Sequence, residues 1–193
     1  MSIAVVIVRC SVGLRMVYAG KMELITRPAL AQELGISIPS LAKLIAVGIV
    51  DSFTMVGVQM VFDETMVTRL KNYGPVNDDH PQALILKTGA ARPDLENGRK
   101  WQGWKAGVKP GDPDQMDGIR QWWPVRDPAP YVDRFLVPTV AGFVLGVYRI
   151  DDYSTIPGGR RSFEISDVTD APEGEAFRGK RFSPEGGSLT KSV

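Results

Sequence analysis

The chain is poor in the residues that hold metals or cross-link a fold. Among its 193 residues there is one cysteine, Cys10, and one histidine, His80. A single cysteine excludes an intramolecular disulfide and fits a reducing, cytoplasmic setting. One cysteine and one histidine are also too few ligands for a structural zinc site of the Cys/His kind. No apolar run has the length of a membrane span. Charge of one sign is missing too: 23 Lys and Arg face 22 Asp and Glu, and a formal net charge of +1 excludes neither nucleic acid nor protein as a partner.

The common catalytic signatures are absent as well. There is no Gly-rich phosphate loop ending in Lys-Ser/Thr, no Gly-x-Ser-x-Gly and no His–Glu zinc motif. The stretch 112–118 resembles a calcium loop at first sight. Counted from Asp112, however, Met116 holds the fifth position, Asp117 stands where glycine is needed, and Trp123 stands where glutamate is needed. An exposed acidic turn is the expectation there. Pro93-Asp94 with Glu96 lacks the Glu-x-Lys partner of a restriction-type nuclease core. The chain is therefore expected to be no enzyme and to use no cofactor or metal.

What is present is ordinary globular composition, 44% hydrophobic and 23% charged, in a length that allows one moderate domain or two small ones. Residues 3–8 are an apolar run with no preceding positive charge, and Arg9 and Arg15 break up the stretch after it, so a secretory signal fits poorly. Two readings of residues 1–21 stay open. They form an additional strand, or translation begins at Met22, since Ala19-Gly20-Lys21 can be encoded by GCA-GGA-AAG, a purine-rich ribosome-binding sequence in a bacterial or viral gene.

The clearest organisation lies in residues 25–74. Thr26 can cap a first helix, Arg27 and Pro28 suit its first turn, and Leu30 and Leu34 lie one turn apart on one face. Gly35 ends that helix. Ser37 then caps a second, in which Ile38, Leu41, Leu44 and Ile45 share a face and Gly48 is the stop. A β-rich stretch with Gly57 at a hairpin tip comes next, and Asp63 can cap a third helix carrying Met66, Val67, Leu70 and Tyr73. Two short helices so briefly joined must cross.

The run 31–45 with Gly48, Ile49 and Val50 resembles the helix-turn-helix of MerR-type and excisionase-type winged-helix domains, and the order helix, turn, helix, wing, helix matches as well. The resemblance covers about a quarter of the chain and implies contact with DNA through the outer face of the second helix. On this chain that face offers Pro39, Ala42, Lys43 and Ala46. Lys43 is the candidate base or phosphate donor, Ser37 and Ser40 are candidate phosphate contacts, and Gln59 lies on the wing. The wing holds no Arg or Lys. From 22 to 74 four basic residues face five acidic ones, a net of −1, so one copy alone should bind DNA weakly and a homodimer is the expected remedy. A helix-turn-helix used for protein contact is the competing reading.

Residues 75–82, with Pro75 and Pro81, have the composition of a linker. His80 beside Asp78 and Asp79 is expected to be an exposed linker side chain rather than an acid–base centre. Beyond it, the stretches 83–87, 120–125, 135–140, 143–150 and 161–165 read as strands. Ala141-Gly142 suggests a bulge or tight hairpin, although 135–150 could also be one bent strand, and Pro138 suggests an edge or a kink. With no amphipathic helix in view, a small barrel or strongly bent sheet is expected for 83–182, and 183–193 are expected to be disordered. The order of Gln121-Trp122-Trp123-Pro124-Val125, the strand pair ending Tyr148-Arg149-Ile150, Arg160-Arg161-Ser162-Phe163-Glu164 and Gly179-Lys180-Arg181 is diffusely similar to PUA/ASCH-like modules. Several of these bind RNA or modified bases. No residue role carries over from so loose a likeness.

The most suggestive chemistry of this half is at 87–109. Lys87, Arg92, Arg99, Lys100, Lys105 and Lys109 face only Asp94 and Glu96, and Trp101 and Trp104 are interleaved. Lys87, Arg99, Lys100, Trp101, Trp104 and Lys105 are candidate nucleic-acid or ligand contacts, because phosphate neutralisation and base stacking need cations beside aromatic faces. The competing assignment makes the tryptophans core and the charges a solvated rim. The expectation is thus an α+β protein, a small winged helix-turn-helix followed by a β-rich, barrel-like domain, acting as a DNA-binding regulator of phage or mobile-element type. An accessory factor that binds a host protein, and a modified-base or RNA reader, stay open as alternatives.

Overall fold

The computed structural model describes residues 5–10, 13–18, 22–156, 158–183 and 190–192, with side chains for 24–95, 97–156 and 158–183. The chain divides into two compact units, Met1–Tyr73 and Gly74–Val193. Among the described residues they are mixed α+β, with four α-helices and several sheets.

In the first unit β1 (Val5–Cys10), β2 (Gly13–Tyr18) and β3 (Met22–Thr26) run antiparallel in sequence. Two helices come after them, α1 (Arg27–Glu33) and α2 (Ile38–Ala46). A hairpin of β4 (Thr54–Val56) and β5 (Gln59–Asp63) then joins the sheet in the order β1-β2-β3-β5-β4, and α3 (Glu64–Lys71) ends the unit.

Both connections out of α1 and α2 are built by glycine in the left-handed region. Gly35 has φ +66°; its N–H donates to Gln32 O, and the N–H of Ile36 to Ala31 O. Gly48 at φ +80° repeats this, with its own N–H donating to Ile45 O and that of Ile49 to Leu44 O. These paired bonds close a helix end while turning the chain, and they need a residue that tolerates positive φ. Ser37 and Asp63 cap α2 and α3 by accepting from the backbone N–H of Ser40 (3.2 Å) and Met66 (2.8 Å). Thr26 stands at the N-cap of α1 but makes no side-chain cap bond. Leu30, Leu41, Leu44, Phe62 and Leu70 are fully buried and make the core. Ile38, expected on the buried face of α2, is instead 40% exposed.

The second unit holds β6 (Gly74–Pro75), β7 (Ala83–Lys87), a ribbon of β8 (Arg92–Asp94) and β9 (Arg99–Gln102), α4 (Pro113–Ile119) and β10 (Gln121–Trp123). It continues with β11 (Phe135–Val140), β12 (Phe143–Val144), β13 (Tyr148–Thr155), β14 (Arg161–Asp167), β15 (Lys180–Arg181) and β16 (Thr190–Ser192). β11 is the hub. β7 lies parallel along one edge, and β12 and β13 take successive parts of the other. From there the sheet extends through β14 to β10 on one side and to β16 on the other, while β15 and β6 branch from β12. None of the described sheets closes into a barrel, which corrects the barrel-like expectation. The reason is visible in the pairing: β10, at one end of the sheet order, pairs neither with β6 at the other end nor with β16 on the branch through β7.

β7 is apolar on both faces because both are covered. Ala83 and Ile85 join Val137, Val144, Val147, Val168 and Phe177 in one cluster, and Leu84 and Leu86, which alternate with them, are buried on the other side. Pro138 lies in the central strand, not at an edge. Its carbonyl accepts from Leu145 N–H on the side of β12 and β13, so its missing donor also faces that side, where those two strands are interrupted at 145–147. Between β11 and β12 the chain reverses in two residues, Ala141 (φ +50°) and Gly142 (φ +85°), the backbone of a type I′ hairpin.

The stretch expected to be an exposed acidic turn is helix α4. Asp112 caps it, accepting from Asp114 N–H at 2.9 Å, Pro113 takes the first position, and Gln115, Gly118 and Ile119 are buried. An Asp-Pro pair suits both the cap and the first turn of a helix. Gly118 is small for a reason: a Cβ there would meet Trp101 Nε1 at 2.8 Å. His80 is not a free linker side chain. Its Nδ1 lies 2.8 Å from the Pro81 carbonyl, and its ring packs 5.4 Å from that of Phe177 and 6.0 Å from that of Phe182. Of the tail, 184–189 and 193 lie outside the described residues, whereas β16 pairs antiparallel with β7. For the extension 1–21, residues 1–4, 11, 12 and 19–21 lie outside the described residues.

Candidate nucleic-acid interface

The first unit presents an exposed surface on α2 and on the β4–β5 hairpin. Leu41 and Leu44 anchor α2 inward, so Pro39, Ala42, Lys43 and Ala46 face out, all exposed. At the start of the helix the Ser37 and Ser40 hydroxyls lie 2.9 Å apart, and Ser37 remains exposed. Gln59 is exposed at the start of β5. The hairpin turns through Gly57 (φ +61°) and Val58, and it is apolar: Val58 is 95% exposed, Met55 53% and Phe53 44%.

The four basic residues between 24 and 73 divide into two pairs. Arg69 donates to both carboxylate oxygens of Asp51 (2.6 and 3.0 Å) and to the Ile49 carbonyl (2.9 Å). The Arg69 hydrogen bond holds the Asp51 carboxyl below the usual carboxylate range, and the same bond raises the Arg69 guanidinium. Lys71 reaches Glu33 at 2.6 Å. Both pairs tie α3 to other parts of the unit, and neither cation is free for a ligand. Arg27 and Lys43 remain, exposed and without a carboxylate partner among the described residues. Arg27, with Met55, Val58, Gln59 and Met60, lines an open groove of about 460 Å³ beside the hairpin. Arg27 was not among the sequence candidates; the signal for it is that Asp51 and Glu33 consume the other two cations, which only the pairing reveals.

The six candidates of the second unit do not share one role. Arg99 is 3% exposed. Its Nε is paired with Asp94 and its Nη1 donates to the Gln121 carbonyl at 2.5 Å, so it is a buried strut between the β8–β9 ribbon and β10 and cannot reach a ligand. Asn97 and Arg99 together hold the Asp94 carboxyl low by hydrogen bonding. Trp104 is also no surface contact. It is 6% exposed and its indole edge lies where a Cβ on Gly146 would be, at 3.2 Å. Trp101 is half-buried, with Lys105 Nζ 5.1 Å from its ring centroid, a cation–π distance, and Lys105 itself exposed. The buried Trp101 Nε1 has no hydrogen-bond partner. Lys100 is exposed and bonded to Asp114 at 2.5 Å, which raises its pKa. Lys87 sits half-buried at the end of β7. The burial of Trp104 agrees with the competing assignment of the tryptophans to the core, whereas the burial of Arg99, which lies among polar sequence neighbours, comes from Asp94 and the Gln121 carbonyl of β10.

No group of three or more His, Cys, Asp or Glu arranged to hold a metal occurs among the described residues, and no helix there is long and apolar enough to cross a membrane. No protein-family model, curated protein or solved structure matches this chain.

Proposed function

We propose that the first unit is a winged helix-turn-helix that contacts duplex DNA, with α2 as the recognition helix and the β4–β5 hairpin as the wing, and that the chain is a non-enzymatic DNA-binding regulator. The observation that carries this reading is the division of the cations between residues 24 and 73. Arg69 and Lys71 are neutralised internally, whereas Arg27 and Lys43 stand exposed with no carboxylate partner among the described residues. Small neighbours, Ala42 and Ala46, let the backbone of α2 approach a groove closely, and the Ser37 hydroxyl is exposed to meet phosphate. Two phosphate contacts per copy correspond to a log–log salt slope of about −1.8 for a monomer and about −3.6 for a dimer. The test is fluorescence anisotropy on random duplexes at several salt concentrations. Lys43→Ala and Arg27→Ala should each weaken binding and reduce the slope by about 0.9 per copy. Duplex binding that is absent at low salt, or insensitive to both substitutions, would overturn the reading.

One feature favours the second reading, a protein-contact module. No charged residue occurs between Ser52 and Phe62, and the hairpin tip exposes Phe53, Met55 and Val58. A wing that grips phosphate would carry Arg or Lys, whereas a protein-binding edge needs apolar surface. Val58→Asp separates the two, since it should abolish association with a protein partner while only modestly weakening salt-sensitive duplex binding.

A further inference from the structure

The second unit carries an arginine cluster that its topology assembles from distant parts of the chain. β10 stands at the end of the sheet order and pairs with β14, with Gln121 opposite Ser162 and Trp123 opposite Arg161. That pairing brings Arg126, just past β10, beside Arg160 and Arg161: Arg161 Nη2 donates to the Arg126 carbonyl at 3.2 Å, and Arg160 Nη1 approaches the Trp122 carbonyl at 3.4 Å. No acidic residue occurs in 118–126 or 158–163. Asp117 is taken by Arg120 at 2.8 Å. Arg126 and Arg160 are exposed, with no carboxylate partner among the described residues, and the buried Nε of Arg161 lacks any hydrogen-bond partner. Between buried Gln121 and Trp123, whose Nε1 donates to the Ile119 carbonyl at 2.6 Å, Trp122 is partly exposed.

We infer that this edge binds a single-stranded nucleic acid, with Arg126 and Arg160 on successive phosphates and the Trp122 indole stacked on an unpaired base. Two exposed arginines without a carboxylate partner among the described residues, beside a strand that carries a partly exposed indole, match the combination that sequence-tolerant single-strand binding uses. A duplex offers no base face to Trp122. Strand addition by a peptide is disfavoured, because arginines already occupy two carbonyls of β10, those of Gln121 (from Arg99) and Trp122 (from Arg160). The site lies wholly in the second unit and is independent of the duplex contact proposed for α2.

The test uses the full chain with fluorescein-labelled dT and rU dodecamers, by anisotropy across salt. The R126Q/R160Q double variant should weaken binding at least tenfold and flatten the salt slope by about 1.4. Trp122→Leu should weaken it by about 5- to 150-fold, with Trp122→Phe recovering most of the loss. Lys43→Ala should leave dodecamer binding unchanged, so loss of duplex binding alone speaks only to α2. Both arginines and Trp122 are at least partly exposed, and unchanged melting of each variant checks the fold. Three results would overturn the inference: no salt-sensitive dodecamer binding, dodecamer binding indifferent to the double variant, or dTMP binding as tightly as the dodecamer, which would mean a mononucleotide site.

Discussion

The hairpin between β11 and β12 places two substitutions of opposite sign on adjacent residues. At Gly142 a Cβ would stand 2.3 Å from the Phe182 carbonyl oxygen, so that backbone would have to retreat by roughly 1 Å to restore ordinary contact. The retreat breaks the bond from Phe182 N–H to the Gly142 carbonyl, 2.9 Å, worth about 1 kcal/mol. Holding alanine at φ +85° costs about 1–2 kcal/mol more. Gly142→Ala should therefore destabilise the second unit by about 2–3 kcal/mol. At Ala141 the strain is already present, since alanine sits at φ +50° where type I′ turns prefer Asn. Ala141→Asn creates an Asn-Gly turn and should stabilise by about 0.5–1 kcal/mol. All four tryptophans, Trp101, Trp104, Trp122 and Trp123, lie in the second unit, so indole fluorescence follows its unfolding selectively. At about 4 °C per kcal/mol the expected midpoint changes are about −10 °C and +3 °C. A Gly142→Ala midpoint within 2 °C of wild type would refute the close approach of Phe182, and a destabilising Ala141→Asn would refute the turn assignment.

Arg99→Ala removes a buried cation that two acceptors hold, and should cost about 3 kcal/mol in urea unfolding; a loss below 1 kcal/mol would place Arg99 at the surface after all. Trp104→Ala should likewise cost about 3–5 kcal/mol by opening the core beside Gly146, measured in the same titration. The Asp51–Arg69 pair makes a small pH-dependent contribution. Because the folded Asp51 pKa is depressed, its stabilisation is present above the unfolded carboxylate value near 4 and is lost as pH falls through the folded value. The pair is half-exposed, so the difference between wild type and Asp51→Asn should stay below about 1 kcal/mol at pH 6 and shrink toward pH 2.5; a difference that grows on acidification would contradict the assignment. Lys43→Ala should weaken duplex binding without changing the melting temperature, because Lys43 is exposed and forms no ion pair among the described residues.

The local punctuation of the fold was legible in the residues. Gly35 and Gly48 end α1 and α2 because positive φ is cheap only there, Ser37 and Asp63 cap the next helices, and the apolar run at 83–87 and the run of β-branched and aromatic residues at 135–140 become β7 and β11. Helix α4 escaped notice, although Asp112-Pro113 is a start signal, because seven residues are too few to display an amphipathic period. Of the candidate contacts, the exposure of Lys43 follows from the periodicity that turns Leu41 and Leu44 inward, whereas Gln59, between exposed Val58 and half-buried Met60, carries no such local signal.

Sequence alone determined where α1, α2 and α3 start and stop, which strands are apolar, and that no intramolecular disulfide can form, since each depends on a residue's own conformational preferences or on composition. Tertiary structure decided which charges remain free. Arg99 and Arg126 are equally basic on paper, yet one is buried against Asp94 and the Gln121 carbonyl while the other is exposed beside Arg160 and Arg161. Whether a cation is neutralised depends on partners tens of residues away, brought near by strand pairing, and no local propensity encodes that.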